Sequence, residues 1–379
     1  MDVDLQDGEK DGAGQNISSE TVYLLNTRTP WEEAPRARHQ VAEALSKRHR
    51  VYFVSANETG SRGLKLLQIN SNLTVVLPSW PIAKRTRYRA PLVNELYQKW
   101  LFPKVRELVA GKTVCVINFD HTATQIFKYF GEVVYYCNDY HIRNYPNRLI
   151  KKYFESCEKR VAAGSRFCVG TCDYLRQRLS RFNKRSFEIR LGAPASKKAP
   201  VFERTDVIRL GLVGYIDETK TSIRTIKRLA DIPNVKVFLF GPLTASMSEL
   251  LAGRDSIEMK GTLTGEELLD ALDEVDVGIA PYKGADGNPG RTPNKLWLYL
   301  IAGKPCVVRA LTGIRDWQFE DKFLYRAVDP EDFVEKVLKA YNEDSADLAL
   351  RRHEFAKLNS WDSRVEEFLN LRQALQTGQ

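Results

Sequence analysis

From residue 21 onward the chain repeats one pattern: a short run of apolar residues, a turn, a helical stretch, then another apolar run. The runs 21–26, 51–55, 73–77, 113–118, 133–137, 167–169 and 187–190 alternate with the helical patterns 33–47, 92–109, 121–130, 148–162 and 173–180. The runs are apolar on both faces, which predicts parallel strands buried beneath helices. The segment 192–200, rich in Pro, Ala, Ser and Lys, reads as a linker. Beyond it the alternation restarts with runs at 208–215, 235–240, 256–259, 276–281 and 305–309, and helices centred on Ile226, Leu250, Leu269 and Tyr299. The expected fold class is therefore α/β, two consecutive Rossmann-like domains facing across a cleft. Their expected extents are 21–195 and 196–350. Residues 329–379 read as helical, and Phe368 and Leu371 give the last helix, within 351–379, an apolar side that would return to the first domain.

A length of 379 residues agrees with two domains. Lys and Arg number 57 against 48 Asp and Glu, a net charge of +9 that suits an acidic partner: nucleotide phosphates, anionic lipid head groups or nucleic acid. No apolar run approaches the ~20 residues of a membrane span. Residues 1–20 are polar and acidic, without the basic and apolar regions of a signal peptide, and read as a disordered tail. Six scattered cysteines without a CxxC pair read as reduced thiols of a cytoplasmic protein. The five histidines show no metal-ligand spacing, and Cys168 and Cys172 with His141 upstream make the nearest approach to a metal cluster. No metal and no cofactor are expected.

Two segments carry chemistry. The first, GLVGYID at 211–217, ends the first strand of the second domain. Gly211 and Gly214 let backbone or ligand approach closely, or they merely close a strand-to-helix turn. The dinucleotide fingerprint GxGxxG is not met, and Gly111-Lys112-Thr113 lacks the upstream glycine of a Walker loop because Arg106 stands there. The second segment is DVGIAPYKGADGNPGRTPNKLWLYLIAGKPCVV at 276–308. Thr292 suits a helix N-cap and Pro293 the first helical position. Lys295 would then put a cation in a first turn whose dipole favours an anion. Either a bound anion lies between them, or Lys295 simply extends to solvent.

Gly211–Ile216, Phe240-Gly241-Pro242, Lys260-Gly261, the DVGIAPY run and PNKLWLYLIAGKPCVV resemble, in this order, the donor domain of GT-B glycosyltransferases, over about residues 205–310. The RTPWEEAPRARHQVAEAL segment extends the resemblance more loosely over 21–200. The nearest patterns are bacterial polysaccharide enzymes of the family-4-like kind and the xanthan-type glucuronosyltransferase. The resemblance implies transfer of a sugar from a nucleoside-diphosphate sugar to a hydroxyl of a glycan or lipid-linked saccharide. It implies donor contacts at Gly214, Tyr215, Gly241, Tyr282, Arg291, Asn294 and Lys295, and acceptor-side contacts at Arg28, Trp31 and Arg36.

The chain departs from the family-4 pattern at two points. Leu298 stands where many members have a Glu three residues after the helix lysine, and Gly290 where an earlier Glu would fall. The xanthan-type enzymes lack that pair as well and invert with an Asp of the first domain. Here Val134-Tyr135-Tyr136-Cys137-Asn138-Asp139 offers Asp139 as base, at the carboxyl end of a strand. Asp139 could instead cap the turn leading to Pro146. Asp120 and His121, past the preceding strand, are rival bases, and Asp120 could equally cap the following helix. His141 reads as packing or capping a turn.

Lys84, Arg85, Arg87, Arg89, Lys99, Lys104 and Arg106 are interleaved with Trp80, Tyr88, Tyr97, Trp100 and Phe102. This chemistry suits an anionic membrane face, a nucleic-acid groove, or a solvated helix over a core. A nucleotide-sugar epimerase of the same architecture and a basic nucleic-acid-binding protein remain the alternatives in function.

Overall fold

The computed structural model describes residues 21–140, 142, 147–196, 198–284 and 289–378. The tail expected at 1–20 and His141 lie outside these residues. In the first half the elements run β1 (Val22–Asn26), α1 (Ala37–Ser46), β2 (Val51–Val54), β3 (Glu58–Thr59), β4 (Gly63–Gln68), β5 (Leu73–Trp80), α2 (Lys84–Arg89) and α3 (Pro91–Leu108). They continue with β6 (Val114–Asn118), β7 (Glu132–Cys137), α4 (Arg148–Gly164), β8 (Phe167–Gly170), α5 (Asp173–Ser180) and β9 (Ser186–Glu188). The sheet order is β3-β5-β2-β1-β6-β7-β8-β9, with β4 on β5. Apolar side chains fill both faces: Tyr23, Phe53, Ile117 and Phe167 on one, Leu24, Val54, Val76 and Val116 on the other.

Two expectations fail in this half. The sheet is not wholly parallel, because β4 pairs antiparallel with β5 from Gly63↔Ser79 to Gln68↔Thr74. Asn70 closes that hairpin by accepting from the amides of Asn72 and Leu73, both at 2.9 Å. Leu66 and Leu67 on this edge strand are exposed, so it lacks the buried-strand signature. The helix expected at 121–130 is only a 3-10 turn at Ile126–Lys128. Side chains take its backbone groups: Gln98 Nε2 donates to the Thr122 carbonyl (2.8 Å), and its Oε1 accepts from the Gln125 amide (3.1 Å).

The second half runs β10 (Ile208–Val213), α6 (Ile223–Ala230), β11 (Val235–Phe240), α7 (Ala245–Leu251), β12 (Ile257–Gly261), α8 (Gly265–Ala271) and β13 (Val277–Ala280). Then come α9 (Lys295–Ile301), β14 (Cys306–Arg309), β15 (Leu324–Ala327), α10 (Pro330–Asn342), α11 (Ala346–Leu358) and α12 (Trp361–Thr377). The order β12-β11-β10-β13-β14-β15 is parallel at every pairing. Gly211 and Gly278 are register partners on β10 and β13. A Cβ on Gly278 would stand 2.2 Å from the Tyr299 ring, and one on Gly211 2.8 Å from Val275. The bare strip lets α9 lie close on the sheet. Tyr299 uses the approach: its hydroxyl accepts from the Val213 amide (2.9 Å) and donates to the Ile279 carbonyl (3.1 Å). Gly211 therefore serves packing, while Gly214 forms the turn.

After α11 the chain crosses back. Ala193 and Trp361 exchange backbone hydrogen bonds with the 359–361 and 193 segments, so the two crossings run side by side. Helix α12 then lies beside α1 on the first sheet. Phe368 meets Phe167 with ring centroids 5.8 Å apart. Arg372 holds Glu132 through two contacts of 2.7 and 2.8 Å, and Asp362 and Glu366 pair with Lys47 and Arg48.

Candidate active site in the cleft

Each sheet has one point where the strand order reverses, between β1 and β6 in the first and between β10 and β13 in the second. Ligand crevices of open α/β sheets lie outside the carboxyl ends of such strands. The segments leaving these four strands carry Arg28, Asp120 with His121, Gly214, and Tyr282. Asp139 follows β7.

On the second-domain side, Gly214 and Gly241 have φ of 112° and 129°. A Cβ on Gly241 would lie 2.3 Å from the Gly214 carbonyl oxygen, so the two turns are pressed together. Lys295 Nζ lies 3.7 Å from where a Gly214 Cβ would stand. The Lys295 and Arg291 cations sit 5.5 and 5.1 Å from the Tyr282 ring centre. Among the described residues neither has a carboxylate within ion-pair range. The Lys295 side chain touches solvent but is ringed by protein, and this burial, followed by repulsion from Arg291, lowers its pKa from 10.5 to about 8. Burial pushes the Tyr282 hydroxyl up to about 12. Two neighbouring cations with no carboxylate partner among the described residues make a place for an anion.

The capping expected at Thr292 does not occur. Helix α9 begins at Lys295, after an Asn294 that already has helical dihedrals and is exposed. Thr292 turns its hydroxyl to Thr171 of the first domain instead (3.4 Å). Thr171 also donates to the Asn138 carbonyl (3.4 Å), which brings the Asn138-Asp139 turn against the Thr292 loop. Gly290 closes the same seam, since a Cβ there would meet Leu175 of α5 at 2.7 Å. Tyr215 stands apart, 59% exposed. Asp217 is occupied in its own turn, accepting from the amides of Thr219 (2.9 Å) and Lys220 (3.0 Å).

On the first-domain side, Asp120 is buried and engaged by three donors. Oδ1 accepts from the Thr122 amide (2.8 Å) and hydroxyl (2.7 Å), and Oδ2 from the Tyr88 hydroxyl (2.8 Å). Arg28 lies 3.9 Å over the Tyr88 ring and 3.2 Å from His121 Nδ1. The His121 ring meets Phe154 edge-on. Asp139 is half-buried, and its charge acts on both Tyr282 and Arg38. Of the acceptor-side candidates, Trp31 packs on Phe53 and His39. Arg36 is exposed and pairs with Glu33 at 2.7 Å.

Arg38, two positions further on, was not singled out by sequence and is the buried one, with 7% exposure. Its Nε has no partner. Burial first, then Arg36, lowers its pKa to about 10. The cue in the sequence was slight: RARHQVAEAL places Arg38 and His39 on the side of an amphipathic helix that otherwise bears Val41, Ala42 and Leu45.

The aromatic residues of the basic stretch are largely internal, and most of its basic residues are not. Trp80, Tyr88, Tyr97 and Phe102 are buried. Arg87 is buried with them, bonded to Asn57 (3.1 Å) and Asn94 and stacked on Tyr88 and Tyr97. Arg85, Arg89 and Lys99 remain exposed, beside the exposed Leu92 and Leu96. No helix among the described residues is long and apolar enough to cross a membrane. Nor do three or more His, Cys, Asp or Glu residues among them gather as a metal site. The Cys168 and Cys172 thiols are pushed up by burial, to about 12 and about 11, and donate to the carbonyls of Ala162 and Gly290.

Comparison with known proteins extends this geometry. Residues 205–343 match the family model described as Glycosyl transferases group 1. The chain is 26% identical over 262 residues to TuaH of Bacillus subtilis (strain 168), a candidate teichuronic acid biosynthesis glycosyltransferase. That match takes in 62% of this chain and 64% of TuaH, so the chain spans somewhat under two thirds of this relative's length. Among solved structures, sucrose-phosphate synthase from Thermosynechococcus elongatus superposes with a TM-score of 0.74 at 12% identity, covering 95% of this chain and 100% of that one. HepE of Anabaena in complex with UDP gives 0.63 at 9% identity, covering 94% and 100%. Trehalose-6-phosphate synthase OtsA gives 0.64 at 12% identity, covering 94% and 99%. The chain has the GT-B fold, two Rossmann-like domains across a cleft, and within it residues 205–343 are the part that is similar to the glycosyl transferases group 1 family.

Proposed function

We propose that the protein transfers a sugar from a nucleoside-diphosphate sugar to a hydroxyl of a glycan or lipid-linked saccharide in bacterial polysaccharide synthesis. The observation that carries this reading is the pair of cations, Lys295 and Arg291, over Tyr282 and against the Gly214–Gly241 turns, with no carboxylate partner among the described residues. Their charge would stabilise the diphosphate as it departs. Solved structures of the same fold with UDP, and with UDP-2-fluoro glucose, favour a uridine donor. Asp139, across the Thr171–Thr292 seam from this site, would take the acceptor proton as the oxygen attacks the anomeric carbon, with inversion. Asp120 suits the base role poorly, because three donors hold its carboxylate.

A thermal-shift series of nucleoside diphosphates is the direct test, since a ligand that binds only the folded chain raises its melting temperature by mass action. UDP should stabilise, and EDTA should leave both the shift and donor turnover unchanged, because side-chain cations neutralise the diphosphate. Activity lost to EDTA and restored by manganese or magnesium would overturn the metal-free mechanism.

Peripheral membrane association is a second part of the proposal. Exposed Leu92, Leu96 and Leu149 accompany exposed Arg85, Arg89, Lys99 and Arg148 at the starts of α3 and α4. Tyr153 of α4 lies close enough to Asn94 of α3 to be influenced by it, so these helices are neighbours. Each basic residue near an anionic bilayer contributes roughly 1 kcal/mol. Flotation should show binding to phosphatidylglycerol vesicles at low salt and release at high salt. Equal binding to neutral vesicles would count against it.

A further inference from the structure

We propose that the acceptor carries an anionic group, a sugar carboxylate or phosphate, and that Arg38 receives it at the carboxyl ends of the first domain's strands. The inference deepens the transfer reading above and rests on it. Arg38 lies on α1, just after the switch-point strand β1, and its charged neighbours are Arg36, Glu33, Arg28 and Asp139. Lys84 of α2 belongs to the same group: its Nζ reaches the Arg28 carbonyl at 3.5 Å, and Glu33, Arg28 and Arg36 act on it. Among the described residues the charges acting on Arg38 and Lys84 are mostly positive, Arg87 included. Glu33 already pairs with Arg36, and Asp139 is the weakest of the influences on Arg38.

Arg38 is 93% removed from solvent, yet its Nε meets no acceptor and no carboxylate lies in ion-pair range among the described residues. Burying an unpaired guanidinium is costly, and it does not escape by losing its proton near neutral pH. A folded chain that carries this cost, at the strand ends where a ligand binds, is preorganised for an anion. The planar guanidinium matches the two oxygens of a carboxylate or phosphate. Burial of Lys84, which lowers its pKa, adds a second desolvated cation facing the same space. Arg38 belongs to the first domain and the Lys295–Arg291 pair to the second, so saturating UDP should leave Arg38 open to a further ligand.

The test uses the full chain saturated with UDP, followed by thermal shift and calorimetry with methyl glucuronide, glucose 6-phosphate and methyl glucoside. An anionic sugar should bind and the neutral glucoside should not, with at least about tenfold separation in Kd. Glucuronide alone would identify an acidic sugar, glucose 6-phosphate alone a phosphorylated one, and both a site that reads charge. Arg38→Met should abolish that binding while keeping the UDP shift. Its own melting temperature should equal or exceed the parent's, as replacing buried charges by apolar groups often does. Arg38→Lys, which keeps the charge and loses the fork, should bind with intermediate affinity and covers the case of a poorly folded Met variant. No anionic preference, or preference unaffected by either variant, overturns the inference. Loss of the UDP shift in the parent chain would instead sink the nucleotide assignment alone.

Discussion

Asp139→Asn should lower sugar transfer by about 10²–10⁴-fold, the usual cost of removing a general base. That loss corresponds to roughly 2.7–5.5 kcal/mol in the barrier. UDP binding should be unchanged, because the diphosphate site we propose is drawn from the second domain. The substitution preserves size and hydrogen-bonding reach, so a turn-capping Asp would be replaced by Asn almost without effect. Calorimetry with UDP and a transfer assay, or slow donor hydrolysis as its proxy, therefore separate the two roles. Near-normal turnover would shift the base to the Asp120–His121 segment. There the outlook differs, since Asp120 is fully engaged by Tyr88 and Thr122 and its replacement should first disturb folding.

Lys295→Ala should weaken UDP binding by about 10–150-fold, the equivalent of one charge-assisted contact of roughly 1.5–3 kcal/mol. The lysine also imposes a pH signature. Its pKa in the free protein is lowered to about 8, so the charged form that attracts diphosphate predominates below that pH. Above it each further pH unit should cost close to tenfold in affinity. Stability without ligand should move the opposite way. Between about pH 8 and 10.5 the unfolded chain holds the proton that the folded lysine has released, so this group makes stability rise with pH. The Ala variant should flatten both trends. A UDP affinity independent of pH from 7 to 9.5 and unaltered by the substitution would remove Lys295 from the site.

Much of this architecture was legible because buried parallel strands announce themselves by wholly apolar runs. The runs ending at Asn26, Asn118, Cys137, Phe240 and Pro281 all became strands. What escaped the sequence did so for physical reasons. Strand β4 is an exposed edge strand, so its Leu66 and Leu67 carried no burial pattern. The 121–130 segment has helical spacing, but Gln98, distant in sequence, captures its backbone. In the site, the glycine turns and Lys295 were recognisable as an ordered set. The cap at Thr292 was misassigned because its hydroxyl answers to Thr171 across the cleft. Arg38 was passed over in favour of Arg36 because exposure distinguishes them, and exposure is set by α1 docking rather than by the residue type.

The return of α12 to the first sheet has a consequence for biosynthesis. The ribosome releases the first domain's strands early, but the face around Phe167 and Tyr23 is completed by Phe368 and Arg372. Between Ala193 and Trp361 the nascent chain must carry that face open, for roughly 10–30 s at ~5–20 residues per second. The second domain, whose strands and helices up to α11 are contiguous, can complete itself in that interval. Made after both domains, helix α12 closes what was begun first, so translation stalled before its codons would leave a finished second domain and an unsealed, aggregation-prone first domain.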